Sequence, residues 1–114
     1  MKLKVLGSGS SGNCYLLENK KETLILECGL PYKTILQGLN FNLSNVVGCL
    51  VTHEHKDHSK AMDDVLNNAI NVYASQGTFE VLKNFYNYCT KVIQSECQFT
   101  IGKFTILPFQ TQHD

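Results

Sequence analysis

The sequence has no arginine: all ten basic side chains are lysines, and ten acids balance them. The planar fork that grips phosphate through two parallel hydrogen bonds is therefore missing. A neutral chain carries no electrostatic footprint for nucleic acid, an anionic membrane or an acidic partner. Whatever it binds must be held by a local site. No apolar run approaches the roughly 18 residues of a membrane span, so no membrane partner is expected. The opening MKLKVLGSGS has too short an apolar run for a signal peptide. No CxxC spacing links the cysteines Cys14, Cys28, Cys49, Cys89 and Cys97. Their odd number and lack of pattern argue against a disulfide framework or a cysteine metal site, and suggest a reducing, cytoplasmic setting. Cys14, Cys28 and Cys49 lie beside apolar runs and read as small core residues.

What is present is ordinary globular material. With 114 residues, 43% hydrophobic and 18% charged, the chain suffices for one small domain with a core. KLKVL (2 to 6), CYLLE (14 to 18) and TLILE (23 to 27) read as strands of an antiparallel meander, joined by SGSSGN and NKKE turns. Gly29 and Pro31 open a short helix through Leu39. VVGCLV (46 to 51) is a continuous apolar run that fits a strand buried on both faces. SKAMDDVLNN (59 to 68) reads as a helix with Ser59 as N-cap and Ala61, Met62, Val65 and Leu66 as its apolar stripe. NVYA (71 to 74) is a strand. Phe79, Leu82, Phe85 and Tyr86 mark one face of a further helix, more simply core than ligand pocket. KVIQ, CQFTI and KFTILPF close the chain as strands. The whole is a mixed α/β layered domain.

Residues 7 to 12, GSGSSG, match G-x-G-x-x-G, but the dinucleotide fingerprint needs a helix at once, to hold the pyrophosphate. A strand follows instead. The segment reads as a tight glycine turn that can line the mouth of a site and offer backbone N–H groups to an anion.

Three of the four histidines fall between 53 and 58, directly after the buried strand. In extended backbone His53 and His55 point to the same side and can reach one ion. Asp57 and His58 come where the chain turns into a helix and can diverge to hold a second. Neutral imidazole and ionised carboxylate are both available at pH 7, and they suit zinc or iron, with manganese admitted by the carboxylate. Glu54 and Lys56 alternate with these groups and read as solvated. The spacing H-E-H excludes a zincin, which needs H-E-x-x-H on one helix. A helix follows the cluster, which disfavours an all-strand cupin.

The pattern H-x-H-x-D-H after a buried strand, His53, His55, Asp57 and His58, resembles the signature of the metallo-β-lactamase superfamily. LGSGSSGNCYLLE is similar to the opening of a subgroup of small bacterial and phage hydrolases, some regarded as DNA-processing exonucleases. The resemblance implies an α/β fold: the N-terminal half of an αββα sandwich, a mixed sheet with helices on one face. It implies a first metal site of His53, His55 and His113 and a second to which Asp57 and His58 contribute, with Asp57 catalytic. Glu27, in LECGL, stands where the superfamily usually has aspartate and would brace the metal loop by hydrogen bonding.

The resemblance further implies one or two Zn²⁺ ions, or Mn²⁺ or Fe, and a metal-activated hydroxide that attacks a phosphodiester, so nucleic acid is the implied substrate. The superfamily also uses a bridging aspartate and a last histidine further along. Asp114 follows His113 directly and does not fit the bridge. Residues 1–114 are thus expected to form a single partial domain without its C-terminal half. It would hold about one ion tightly and pair as a homodimer through an exposed sheet face. The alternative is a catalytically incomplete metal-binding fragment or an interaction module.

Overall fold

Short polar turns between runs of β-branched and leucine residues set the first half of the fold. A computed structural model describes residues 1–83 and 88–110. β1 (Lys2–Gly7), β2 (Cys14–Glu18) and β3 (Thr23–Leu26) form the antiparallel meander. The chain then crosses over through α1 (Tyr32–Gly38), and β4 (Val46–Leu50) pairs parallel to β3. A second crossover carries α2 (Lys56–Ser59) and α3 (Met62–Asn67) before β5 (Val72–Ala74). α4 (Gln76–Leu82) precedes β6 (Thr90–Val92), and β4, β5 and β6 run parallel. The six strands lie in sequence order in one mixed sheet. β7 (Phe99–Ile101) and β8 (Phe104–Ile106) form a separate antiparallel hairpin.

The two sheet faces are covered differently. Ile35 of α1, Met62, Val65 and Leu66 of α3 and Phe79 of α4 bury one face together with Leu16, Ile25, Cys49 and Val72. Every helix that contributes to the core packs there, as expected of helices on one face. The other face is covered by the hairpin, with Ile101 and Phe104 packed on Leu24. Leu3 is in register with Leu17, and Leu17 with Leu24, so all three side chains share that face. The hairpin does not reach Leu3 and Val5, which stay 55% and 56% exposed. The sequence suggests a bare sheet face; the hairpin packs on it against Leu17, Leu24, Leu26, Val47 and Tyr73.

Two local expectations are corrected. Ser59 is not an N-cap. It ends α2, and its hydroxyl donates to the carbonyls of Glu54 (2.8 Å) and His55 (3.0 Å). α3 starts after Ala61 without a side-chain cap. The stripe Ala61, Met62, Val65 and Leu66 is nonetheless buried. Second, α4 ends at Leu82 and is closed by Lys83 in the left-handed region (φ 58°). Phe85 and Tyr86 lie outside the described residues.

Candidate metal centre

Parallel pairing decides what stands beside what. β3 and β4 run in the same direction with Leu26 opposite Leu50, so both strands deliver their next residues to the same end of the sheet, where ligand sites of parallel sheets form. From β3 comes Glu27, and from β4 come Thr52 and His53. Glu27 leaves the strand in the left-handed region (φ 66°), while its N–H still donates to the Leu50 carbonyl (2.8 Å). A non-glycine residue in that region costs on the order of 1 kcal/mol and marks a position held by its surroundings.

Glu27 is 7% exposed, and a carboxylate so buried needs partners. It has three donors. Thr52 N–H donates to Oε1 (2.7 Å) and the Thr52 hydroxyl to Oε2 (2.5 Å). His58 Nδ1 also meets Oε2. The hydroxyl proton of Thr52 is committed to the carboxylate, so its oxygen accepts from His53 Nδ1 at 2.7 Å. One carboxylate therefore orients two imidazoles, His58 directly and His53 through Thr52.

The rings converge. The centroids of His53 and His58 are 4.9 Å apart, and the rings of His53 and His55 stack with centroids 6.1 Å apart and planes 21° from parallel. His58 Nε2 stands 3.7 Å from Asp57 Oδ2. Ligand atoms of Glu27, His53 and His58 fall within 4.8 Å of one another. Because both oxygens of Glu27 already accept hydrogen bonds, its part is to brace the imidazoles. Two imidazoles beside a carboxylate are a donor set suited to a divalent cation of the zinc, iron or manganese kind; His55 and Asp57 do not belong to this close group. His58 is folded toward His53 because α2 begins at once, its N–H donating to the His55 carbonyl (2.9 Å). His113 lies outside the described residues.

The glycine–serine turn borders this centre. It links two strands, as the missing helix after GSGSSG predicts. Asn13 closes it, its Nδ2 donating to the Gly9 carbonyl (2.9 Å) and its Oδ1 accepting from Gly9 N–H (3.1 Å). The backbones then stack closely. A Cβ on Gly29 would sit 1.8 Å from the Asp57 carbonyl oxygen, and one on Gly12 would sit 2.6 Å from the Gly29 oxygen. Neither the role of Thr52 nor that of Asn13 is visible from spacing.

An open cleft of about 850 Å³ begins at His53. Thr52, Ser75, Thr78, Leu107 and Phe109 are among the residues that line it. Beneath the centre Cys14, Cys28 and Cys49 are fully buried, as read from the sequence. No disulfide joins any of the five cysteines. Burial pushes the Cys14 thiol up from 9.0 to about 12. Cys49 is raised well above 9.0 as well, by its hydrogen bond with Cys28 and by burial. Both are inert thiols at neutral pH. Among the described residues no helix is long and apolar enough to cross a membrane.

Comparison with known proteins agrees with this geometry. The exodeoxyribonuclease WalJ of Streptococcus pneumoniae is 32% identical over 99% of this chain, which spans 46% of that protein. The exodeoxyribonuclease YycJ of Bacillus anthracis is 32% identical over 70% of the chain and 32% of its own length. The chain thus spans less than half the length of these relatives. Among solved structures, the BLEG-1 B3 metallo-β-lactamase superposes with a TM-score of 0.72 at 25% identity, over 91% of this chain and 58% of that one. The metallo-β-lactamase fold protein YhfI of Bacillus subtilis superposes with a TM-score of 0.73 at 20% identity, over 92% and 50%. The family described as Anti-Pycsar protein Apyc1 matches residues 1–76, the stretch that holds the meander, Glu27 and the whole histidine cluster, and the chain belongs to that family, with a metallo-β-lactamase fold.

Proposed function

We propose that this chain supplies the metal-bearing N-terminal part of a phosphodiester hydrolase of exodeoxyribonuclease type, working in the cytoplasm on nucleic acid. The observation that carries the reading is the buried carboxylate of Glu27, which orients His53 and His58 so that ligand atoms of all three lie within 4.8 Å of one another. Two relatives named exodeoxyribonucleases support the substrate class. The odd, unpatterned set of five cysteines supports a reducing compartment. The ligands are His53, His55, Asp57 and His58, joined by His113, with Zn²⁺ first in preference and Mn²⁺ or Fe as alternatives. When bound, the metal supplies Lewis-acid polarisation and a hydroxide nucleophile near neutral pH.

The chain's own residues do the rest. Glu27 and Thr52 orient both imidazoles. Asp57 serves as ligand and orients water. The cleft beside His53 seats the nucleotide next to the scissile bond, with hydroxyls and the Phe109 ring in its lining. No lysine is among the described residues that line it, so DNA must be held by local contacts there and by the remainder of a longer domain. Covering 46% of the pneumococcal relative supports that view of the chain as part of a domain.

The test is hydrolysis of end-labelled DNA by metal-free protein and by protein loaded with Zn²⁺ or Mn²⁺, in parallel with a chain of the relatives' full length. Metal-dependent release of nucleotides by the longer chain, lost by about 10³-fold or more in His53→Ala, is the expected outcome. Metal bound without turnover in either chain would replace this reading with that of a metal-binding module.

A further inference from the structure

We infer that Asn13 is a positioning residue for the metal centre: it sets the Asp57 peptide, and through it the direction of the Asp57 carboxylate. The inference rests on the metal-centre reading above. α2 has four residues, too few to be stable alone, so its orientation comes from what its ends touch. The last carbonyls of a helix lack partners within it. Ala61 N–H, which would serve the Asp57 carbonyl in a continuing helix, donates to Cys28 instead (2.8 Å). The Asp57 carbonyl is taken by Asn13 twice, from its backbone N–H at 2.7 Å and from Nδ2 at 3.0 Å. The His58 carbonyl next to it accepts from Cys28 N–H (2.9 Å).

Asn13 is itself held. It is 9% exposed, its carbonyl accepts from Gly29 N–H (2.9 Å), and its Oδ1 accepts from the Tyr15 hydroxyl (3.3 Å) as well as from Gly9. Gly29 presses on the Asp57 carbonyl from its own side. The position demands a donor toward two carbonyls and an acceptor toward an N–H in one planar group, which is the amide of asparagine. Aspartate would aim an oxygen at the Gly9 and Asp57 carbonyls. Since the Asp57 side chain leaves the same Cα as the clamped carbonyl, loss of the clamp lets the carboxylate swing.

The test is a double-mutant cycle read by Zn²⁺ affinity in competition with a chelating dye, on the metal-stripped chain. Asn13→Ala is expected to weaken Zn²⁺ binding about tenfold when Asp57 is present and less than twofold in an Asp57→Asn background. Equal weakening in both backgrounds, or none in the first, overturns the inference. Zn²⁺ that fails to bind the unaltered chain, or binds Asp57→Asn as tightly, overturns the metal-centre reading itself and this inference with it. Should Asn13→Ala not fold, Asn13→Asp keeps the volume and the Oδ1 acceptor and carries the same expectation. In the unaltered chain the side-chain NH₂ resonances of Asn13 shift on adding Zn²⁺; resonances that stay put overturn the inference whatever the variants do.

Discussion

Thr52 illustrates how little of a metal centre need be a ligand. Its hydroxyl passes the orientation of Glu27 to His53. Thr52→Val keeps the shape and removes the relay. It is expected to weaken Zn²⁺ binding about tenfold, with an unfolding free energy within about 1.5 kcal/mol of the original by urea titration. The thiols give a second expectation. A thiol-specific dye should react fast with Cys97 alone in the folded chain, since the other four are buried. Cys14 and Cys49 ionise more readily in the unfolded chain than in the folded one. Their contribution to stability is complete below about pH 9 and falls as pH rises toward 12, so urea midpoints should decline over that window.

His53 and His58, which stand together beside Glu27, were legible because metal ligands need fixed local spacing. Thr52 and Asn13 were not, because their partners lie 25 and 44 residues away in the chain. Glu27 was legible through the resemblance, but its three donors come from Thr52 and His58, 25 and 31 residues further along the chain.

At the scale of the element, periodicity located the strands and helices and missed their ends. Ser59 had the chemistry of a cap, yet the chain gives its hydroxyl to the carbonyls of Glu54 and His55 and makes a separate short helix of 56–59. A hydroxyl's choice among nearby backbone groups is a tertiary matter. Lys83 closes α4 in a conformation that suits glycine. Lys83→Gly is therefore expected to raise stability by up to about 1 kcal/mol, read from the thermal or urea midpoint. Gly29→Ala is the opposite case. Its methyl would fall inside the Asp57 carbonyl, and backbone cannot yield as a side-chain tip can. The expected loss is about 3 kcal/mol, at the upper end for overpacking, with Zn²⁺ binding weakened in the same variant.

At the scale of the whole molecule, the layer order was readable and the cover of the second face was not. Three short strands at the end of the sequence carry no mark of which sheet they join. Phe99, Ile101 and Phe104 turn out to roof Leu24 rather than extend the main sheet. Leu3 and Val5 remain outside that roof at the edge strand. We propose that two copies pair through this strip, because exposed apolar area beside a sheet edge favours association. Light scattering should give a dimer mass that falls to the monomer in Leu3→Lys/Val5→Lys. A monomer at high concentration in the unaltered chain would contradict the pairing.

β4 lies between two parallel neighbours, and parallel neighbours must be brought together across long crossovers. The Glu27 carboxylate therefore meets Thr52 and His58 only once distant stretches of chain have come together, a slow event in any refolding reaction. Cation capture becomes a clock for the last step: after dilution from urea, the appearance of a Zn²⁺-binding signal should lag the recovery of helical circular dichroism.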